Sequence, residues 1–295
     1  MKHVFLAAAM TAMLATPAFA DVTLSLSPPS PAPVLGEPVS VIVTLRNAGS
    51  GPETVARRLK PEYGATEFHI TPPGGTRQRF SPFALKELAD PVTSLAAGGS
   101  LSETAELYHD GKTWTFRTPG RYLIEASYHG AVKAEPIVVE IAAPRNDAEQ
   151  AAARQLLGSS EAGLFMLVNG AENLEEGRRV VSNVAEAYAA TPQATHANLA
   201  LGVHLSRAAA DFRAGRMRAA DPAGAAQRLD RVDIERLGPE QLGMAEVAGT
   251  RAFQALGQPQ RLQILRERLN GTLQRRFPTM ATKVRADVDR AVESR

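Results

Sequence analysis

The sequence predicts an antiparallel β-sandwich followed by an α-helical bundle or a short stack of helical hairpins. Three observations carry this expectation. Hydrophobic residues alternate with a period of two as far as Pro144, the period changes to that of a helix immediately afterwards, and the 295-residue length suits two domains. The boundaries read as 1–20, 21–144 and 145–295. The first segment reads as a secretory signal peptide: Lys2 and His3 precede the apolar run Val4 to Leu14, and Ala18-Phe19-Ala20 is a small-x-small cleavage pattern. Cleavage after Ala20 would leave a periplasmic or secreted chain starting at Asp21. A run of about eleven apolar residues is well short of the ~20 that a membrane span needs, so no stable membrane insertion is expected.

In the first half, Val39, Val41, Val43 and Leu45 share one face of a strand. Tyr122, Ile124, Ala126 and Tyr128 repeat the pattern, as do Ile137, Val139 and Ile141. Shorter runs occur at Val22-Leu24-Leu26, Phe68-Ile70 and Leu101 to Leu107. Strict alternation means one buried face and one wet face, which belongs to antiparallel sheets. Gly and Pro clusters punctuate the runs, and Asp110-Gly111 suits a tight hairpin because it permits positive φ. About seven short strands at this spacing favour a sandwich over a barrel.

The second half opens with Asp147 and Gln150, spaced as a capping box for a helix ending at Gly158. Ser160 can cap the next helix, which Asn169-Gly170 stops. Leu174, Gly177, Val181, Val184 and Tyr188 form a helical stripe. Thr191-Pro192 then opens a longer helix whose stripe runs from Ala194 through Leu201 and Leu205 to Phe212. Asp221-Pro222, Pro239 and Pro259 start three more helices, and Val284, Val288 and Val292 mark a last one. Six to eight helices with short turns imply antiparallel neighbours.

The segment GEPVSVIVTLRNAG, Gly36 to Gly49, resembles the second strand of bacterial Ig-like domains, entered by a Gly-x-Pro turn and left through Asn-x-Gly. Leu95 to Leu107 and FRTPGRYLIEASY, Phe116 to Tyr128, continue the likeness over Val22 to Pro144. The resemblance implies an Ig-like sandwich in which Tyr122 is the corner tyrosine. It implies little about function, since such sandwiches serve many roles. The segment order is also similar to that of Ig-like proteinase inhibitors, although no inhibitory loop matches. Leu242 to Pro278 is similar to tetratricopeptide-like hairpins, with a pattern too incomplete to carry over any binding residue.

Chemistry-bearing patterns are sparse. Cysteine is absent, which excludes thiol nucleophiles, disulfides and Cys-ligated metals. There is no His-Glu-x-x-His, no Gly-x-Ser-x-Gly elbow, no P-loop and no dinucleotide fingerprint. Gly158-Ser159-Ser160-Glu161 reads instead as a helix stop followed by a cap. His69, His109 and His129 are expected on exposed loops or strand faces, His204 beside an apolar stripe, and His196 on the opposite side of that helix. Glu175-Glu176 belongs to a helix surface, and Arg275-Arg276 to a helix C-terminus whose dipole it offsets. Trp114 and Phe116 are candidates for the core. Arg57-Arg58-Leu59-Lys60 with Tyr63 is either a solvated loop or a contact for an acidic partner.

Thirty-three basic residues face 31 acidic ones. Asp21 to Arg145 carries 12 against 13 and the remainder after it 20 against 18, so nucleic acid is not an expected partner. No catalytic, cofactor-binding or metal residue is assigned, and no cofactor is expected. The sequence favours a non-enzymatic interaction or assembly module whose partners are proteins of the cell envelope. Two alternatives come with it: a hydrolase with a site at the domain junction, drawing on His204 or His129 with nearby carboxylates, or a proteinase inhibitor acting through the sandwich loops.

Overall fold

A computed structural model describes residues 22–28, 32–83, 91–211 and 215–293. The segment read as a signal peptide, and Phe212 at the end of one expected stripe, lie outside the described residues. The protein is mixed β and α, with antiparallel strands first and helices after them.

One sheet has the order β1 (Val22–Ser27), β2 (Ser40–Asn47) and β7 (Ser100–Glu106). A short pair joins β3 (Glu53–Ala56) to β6 (Val92–Leu95). The second sheet contains β4 (Thr66–Thr71), β5 (Gln78–Arg79), β8 (Gly120–Tyr128), β9 (Val132–Lys133) and β10 (Ile137–Ile141). The period-two reading holds: Val41, Val43 and Leu45 of β2 and Tyr122, Ile124 and Ala126 of β8 are all buried in one core. Ten strands, rather than about seven, precede the first helix among the described residues. The extra ones are only two to four residues long, too short for alternation to register.

Eight helices follow: α1 (Asp147–Leu157), α2 (Ser160–Leu167), α3 (Glu175–Ala187), α4 (Pro192–Leu205), α5 (Pro222–Leu229), α6 (Pro239–Ala255), α7 (Pro259–Arg276) and α8 (Pro278–Glu293). The first two caps fall one residue earlier than expected. Asn146 accepts from the Glu149 N–H, and Ser159 accepts from that of Ala162. Thr191 and Asp221 cap as expected, and positive φ at Asn169 and Gly170 ends the turn after α2.

Helix α4 departs from the expected single stripe. Every residue from Pro192 to His204 is buried, because α4 lies against α1, α2, α3, α5 and α6. A helix enclosed on all sides has no polar face to reveal by periodicity. It also ends at Leu205 instead of running on to Phe212. The chain turns into a hairpin of β11 (Ala209–Asp211) and β12 (Arg216–Arg218).

The hydrophobic core crosses from strands to helices at Pro144 without interruption. Residues of α1 to α4, including Leu156, Phe165 and Val181, share one cluster with Val43, Phe68 and Tyr128. A second cluster is built from α4 to α8, and Ile42 from the opposite face of β2 packs against it. At Gly36, φ is +89° and an added Cβ would lie 2.9 Å from the Ala153 Cα, so only glycine admits this close approach of turn to helix. No helix among the described residues is long and apolar enough to cross a membrane.

Candidate functional site

The loop after β3 forms one wall of a cleft between the first sheet and the helices. Two of its three cations, Arg58 and Lys60, are engaged within the protein, while Arg57 is exposed, so the loop is neither fully solvated nor a free basic patch. Leu59 is fully buried, and its N–H donates to Glu103 Oε2 at 2.6 Å. Arg58 donates to Glu103 Oε1 at 3.3 Å and lies over the Tyr63 ring at 5.6 Å. Lys60 Nζ donates at 2.6 Å to Glu240 Oε2, in the first turn of α6, where a carboxylate also suits the helix dipole. Burial disfavours the ammonium of Lys60, but the charge and hydrogen bond of Glu240, with the charges of Glu62 and Glu106, together outweigh burial and raise its pKa.

Beyond this wall open two adjoining hollows of about 310 and 350 Å³, which share Lys60, Val168, Asn169, Glu240 and Met244. Phe80, Phe83, Met166 and Met244 give the first an apolar lining, while Lys60, Glu62, Glu106, Tyr108 and His109 supply its polar groups. Glu106, the last residue of β7, is half-buried overall, but its Oε2 is sealed and has no hydrogen-bond partner. Burial, reinforced by the charges of Glu240 and Glu62 against that of Lys60, pushes its pKa up to about 8. Glu62 shifts the same way, chiefly through burial. Tyr108 is buried, and desolvation and the neighbouring Glu106 raise its pKa well above the usual phenol value. The hollow therefore holds a carboxyl group that remains largely protonated at neutral pH, a state found where carboxyls act or bind.

The histidines do not assemble there as a set. His69 is half-buried on the sheet, and His129 is exposed at the end of β8. His204 is buried, with Nε2 3.2 Å from Glu172 Oε1 and its ring against Phe165. Burial, with the charge of Arg218, lowers its pKa to about 4. His196 is buried too, and its Nε2 is 3.1 Å from Glu37 Oε1. Their expected positions on the two sides of an amphipathic helix thus give way to full burial of both. Neither His204 nor His129, the histidines expected to contribute to a junction site, lines these two hollows.

His109, expected on a loop surface, is the histidine that does reach the cleft. It is only 1% exposed, because Trp114 and Gly163 of α2 enclose it. Its Nε2 is 3.4 Å from Ser160 Oγ, a pair that superficially suggests a nucleophile and its base. The protons argue otherwise. Nδ1 accepts from the Gly111 N–H at 3.0 Å, so the neutral ring carries its proton on Nε2 and donates it towards the serine. Ser160 Oγ in turn donates to the Lys112 carbonyl. A base for this serine would need a free lone pair on Nε2.

The remaining sequence candidates are structural. Trp114 and Phe116 are buried, and Trp114 Nε1 donates to the Ser159 carbonyl at 3.0 Å. Glu176 pairs with Arg179 on the α3 surface, Arg275 with Glu235, and Arg276 covers Phe277. No group of three or more metal-ligating side chains occurs among the described residues. Glu106 escaped the sequence reading because alternation puts it out of phase with Leu101, Ala105 and Leu107; α2 and α6, distant in sequence, create its surroundings. Glu103, in phase with those apolar residues, carried a visible signal: a carboxylate where a hydrophobe belongs.

No family model matches the sequence, and no curated protein matches it. Solved structures give weak partial matches. The Pseudomonas fluorescens alkylpurine DNA glycosylase AlkC is 17% identical with a TM-score of 0.27, covering 41% of this chain and 30% of its own. A β-glucosidase from Listeria innocua is 17% identical with a TM-score of 0.25, covering 41% and 16%. β-Glucosidase 3B from Thermotoga neapolitana is 14% identical with a TM-score of 0.26 and the same coverage. The matched part spans less than a third of each of these chains, and likeness of this degree carries no functional argument.

Proposed function

We propose that this chain is an exported, non-enzymatic interaction module of the bacterial cell envelope. In this reading an Ig-like sandwich, residues 21–144, joins an α-helical domain, residues 145–295, and their junction cleft receives a protein partner. The observation that carries the reading is the cleft itself: two adjoining hollows where apolar side chains such as Phe80, Met166, Met244 and Val247 alternate with charged ones, and where the exposed Val168 lines both. The Ig-like assignment draws support from Tyr122, whose hydroxyl donates to the Thr118 carbonyl at 2.9 Å in the manner of a corner tyrosine. Asn47, at the end of β2, adds to it by bonding the Gly51 and Leu95 carbonyls at 2.8 and 2.9 Å. Export rests on the N-terminal sequence pattern alone.

The test uses the chain from Asp21 with a photo-crosslinking residue at Val168, and at Ile264 on α7 as a more exposed control. In native envelope extract, position 168 should capture a reproducible partner that position 264 does not. Equal capture at both positions, or none at 168, refutes the reading.

One observation favours a second reading, a hydrolase at the same junction. Glu106, with its raised pKa, shares the hollow with Glu240, which is salt-bridged to Lys60, and a protonated carboxyl near a charged one is the raw material of acid–base catalysis. This reading requires turnover of an ester, peptide or glycoside that fails above about pH 8 and is abolished by Glu106→Gln.

A further inference from the structure

We propose that the acidic end of the cleft is a receptor for a single cationic side chain, a lysine or arginine flanked by apolar residues, presented by a polypeptide partner. The inference rests on the cleft being the binding surface and adds the chemistry of its occupant.

Three carboxyl groups, Glu62, Glu106 and Glu240, line one hollow with one lysine, Lys60. That lysine is committed at 2.6 Å to Glu240, the same carboxyl that also accepts from the Thr104 N–H at 3.4 Å. No described cation forms an ion pair with Glu62 or Glu106, although the charge of Lys60 reaches both, and the sealed Oε2 of Glu106 has no hydrogen-bond partner. Beside it Tyr108, 3% exposed, lines the hollow with a hydroxyl that bonds to no described residue. A buried acceptor without a donor is costly, so its position is explained by a donor arriving from outside. An anionic group entering here would meet like charge. An ammonium or guanidinium would instead meet two carboxyls that form no ion pair within the protein and a phenolic oxygen, with Phe80, Phe83 and Met244 to clasp its methylene stem.

Occupancy is then linked to protonation. Among the described residues, the ionisable groups around Glu106 are Tyr108 and His109 from the same chain segment, Lys60 and Glu62 from the loop after β3, and Glu240 from α6. A cation placed against Glu106 lowers its pKa, so binding near pH 7 expels its proton. Affinity accordingly rises with pH towards 8, by up to about tenfold per pH unit.

The test is calorimetric titration of the chain from Asp21 with acetyl-Leu-Lys-Leu-amide, and with the same peptide carrying norleucine in place of lysine. The lysine peptide should bind at least about tenfold more tightly, as expected for losing a charge-assisted contact. At pH 7, its heat should differ between phosphate and Tris buffers by the amount that release of close to one proton requires. Glu106→Gln imitates the neutral acid and so preserves the fold, which its thermal transition verifies; it should abolish both the proton release and the pH dependence. Equal binding of the two peptides, or no binding of the lysine peptide at millimolar concentration, overturns the inference. If position 168 still captures its envelope partner, only the cation chemistry falls; if that capture fails as well, the cleft reading falls with it.

Discussion

Glu37 offers the sharpest quantitative test of how strands and helices are fastened together. It sits in the turn before β2, only 4% exposed, and accepts hydrogen bonds from the Val34 N–H at 2.6 Å and His196 Nε2 at 3.1 Å. Arg236 clamps it with two more, Nε at 2.7 Å and Nη2 at 2.5 Å. Burial by itself would raise its pKa. The hydrogen bonds and charges of His196 and Arg236 outweigh burial and hold it at about 2, against an ordinary value of 4.5. At about 1.4 kcal/mol per pKa unit, that depression corresponds to about 3 kcal/mol of stability. Because the folded pKa is the lower one, the contribution is complete above the unfolded value of 4.5 and fades as pH falls towards 2. Urea unfolding of the native chain and Glu37→Gln, followed by helix circular dichroism, should show a gap of about 3 kcal/mol at pH 6. The same linkage gives about 1.4 kcal/mol at pH 3. A gap that is equal at the two pH values, or below about 1 kcal/mol at pH 6, refutes the reasoning.

Two further perturbations probe neighbouring features. Gly163→Ala would put a Cβ 2.4 Å from His109 Cδ2 and 2.8 Å from Trp114 Cε2, so overpacking of about 1–3 kcal/mol should exceed the ~1 kcal/mol gain in helix propensity. Trp114 is the single tryptophan, so its emission and the melting temperature report directly; no change in either would contradict the tight packing of α2. Tyr122→Phe removes a hydroxyl held to the Thr118 carbonyl at 2.9 Å and to its N–H at 3.2 Å, and should cost about 1–3 kcal/mol in urea unfolding. A loss under about 0.5 kcal/mol would mean that water replaces the bond freely.

What could be read from the sequence follows from the range over which each feature is determined. Alternation in β2 and β8, and the caps Thr191 and Asp221, are settled by neighbours a few residues away, and they appear as expected. The Glu37–His196–Arg236 cluster joins positions 159 and 199 apart, and no local pattern marks its members as partners. His196 was assigned to the polar side of α4 because helical periodicity presumes a solvent-facing side, which a central helix lacks. His109 looked exposed because its own segment is a turn; the helix that buries it arrives fifty residues later. The hairpin of β11 and β12 was hidden by its own composition, since Ala209 and Ala210 continue an alanine-rich helical pattern into a strand.

The junction carboxyls divide by how they are matched. Glu37 faces a guanidinium, a histidine and a backbone N–H. Glu103, 1% exposed, accepts from the Leu59 and Lys60 N–H groups and from Arg58. Glu240 holds Lys60 and the Thr104 N–H. Each brings the donors that a desolvated carboxylate needs, and each ties the strand half to itself or to a helix, so packing alone accounts for it. Glu106 breaks this rule within the same few residues of β7. It lines the hollow, and the pairing applied to its neighbours stops there. A folding requirement would be met more cheaply by an apolar residue or glutamine at this position. The cationic partner proposed for the cleft would supply the missing match, which makes Glu106, rather than any of the six histidines, the residue whose substitution tests that proposal most directly.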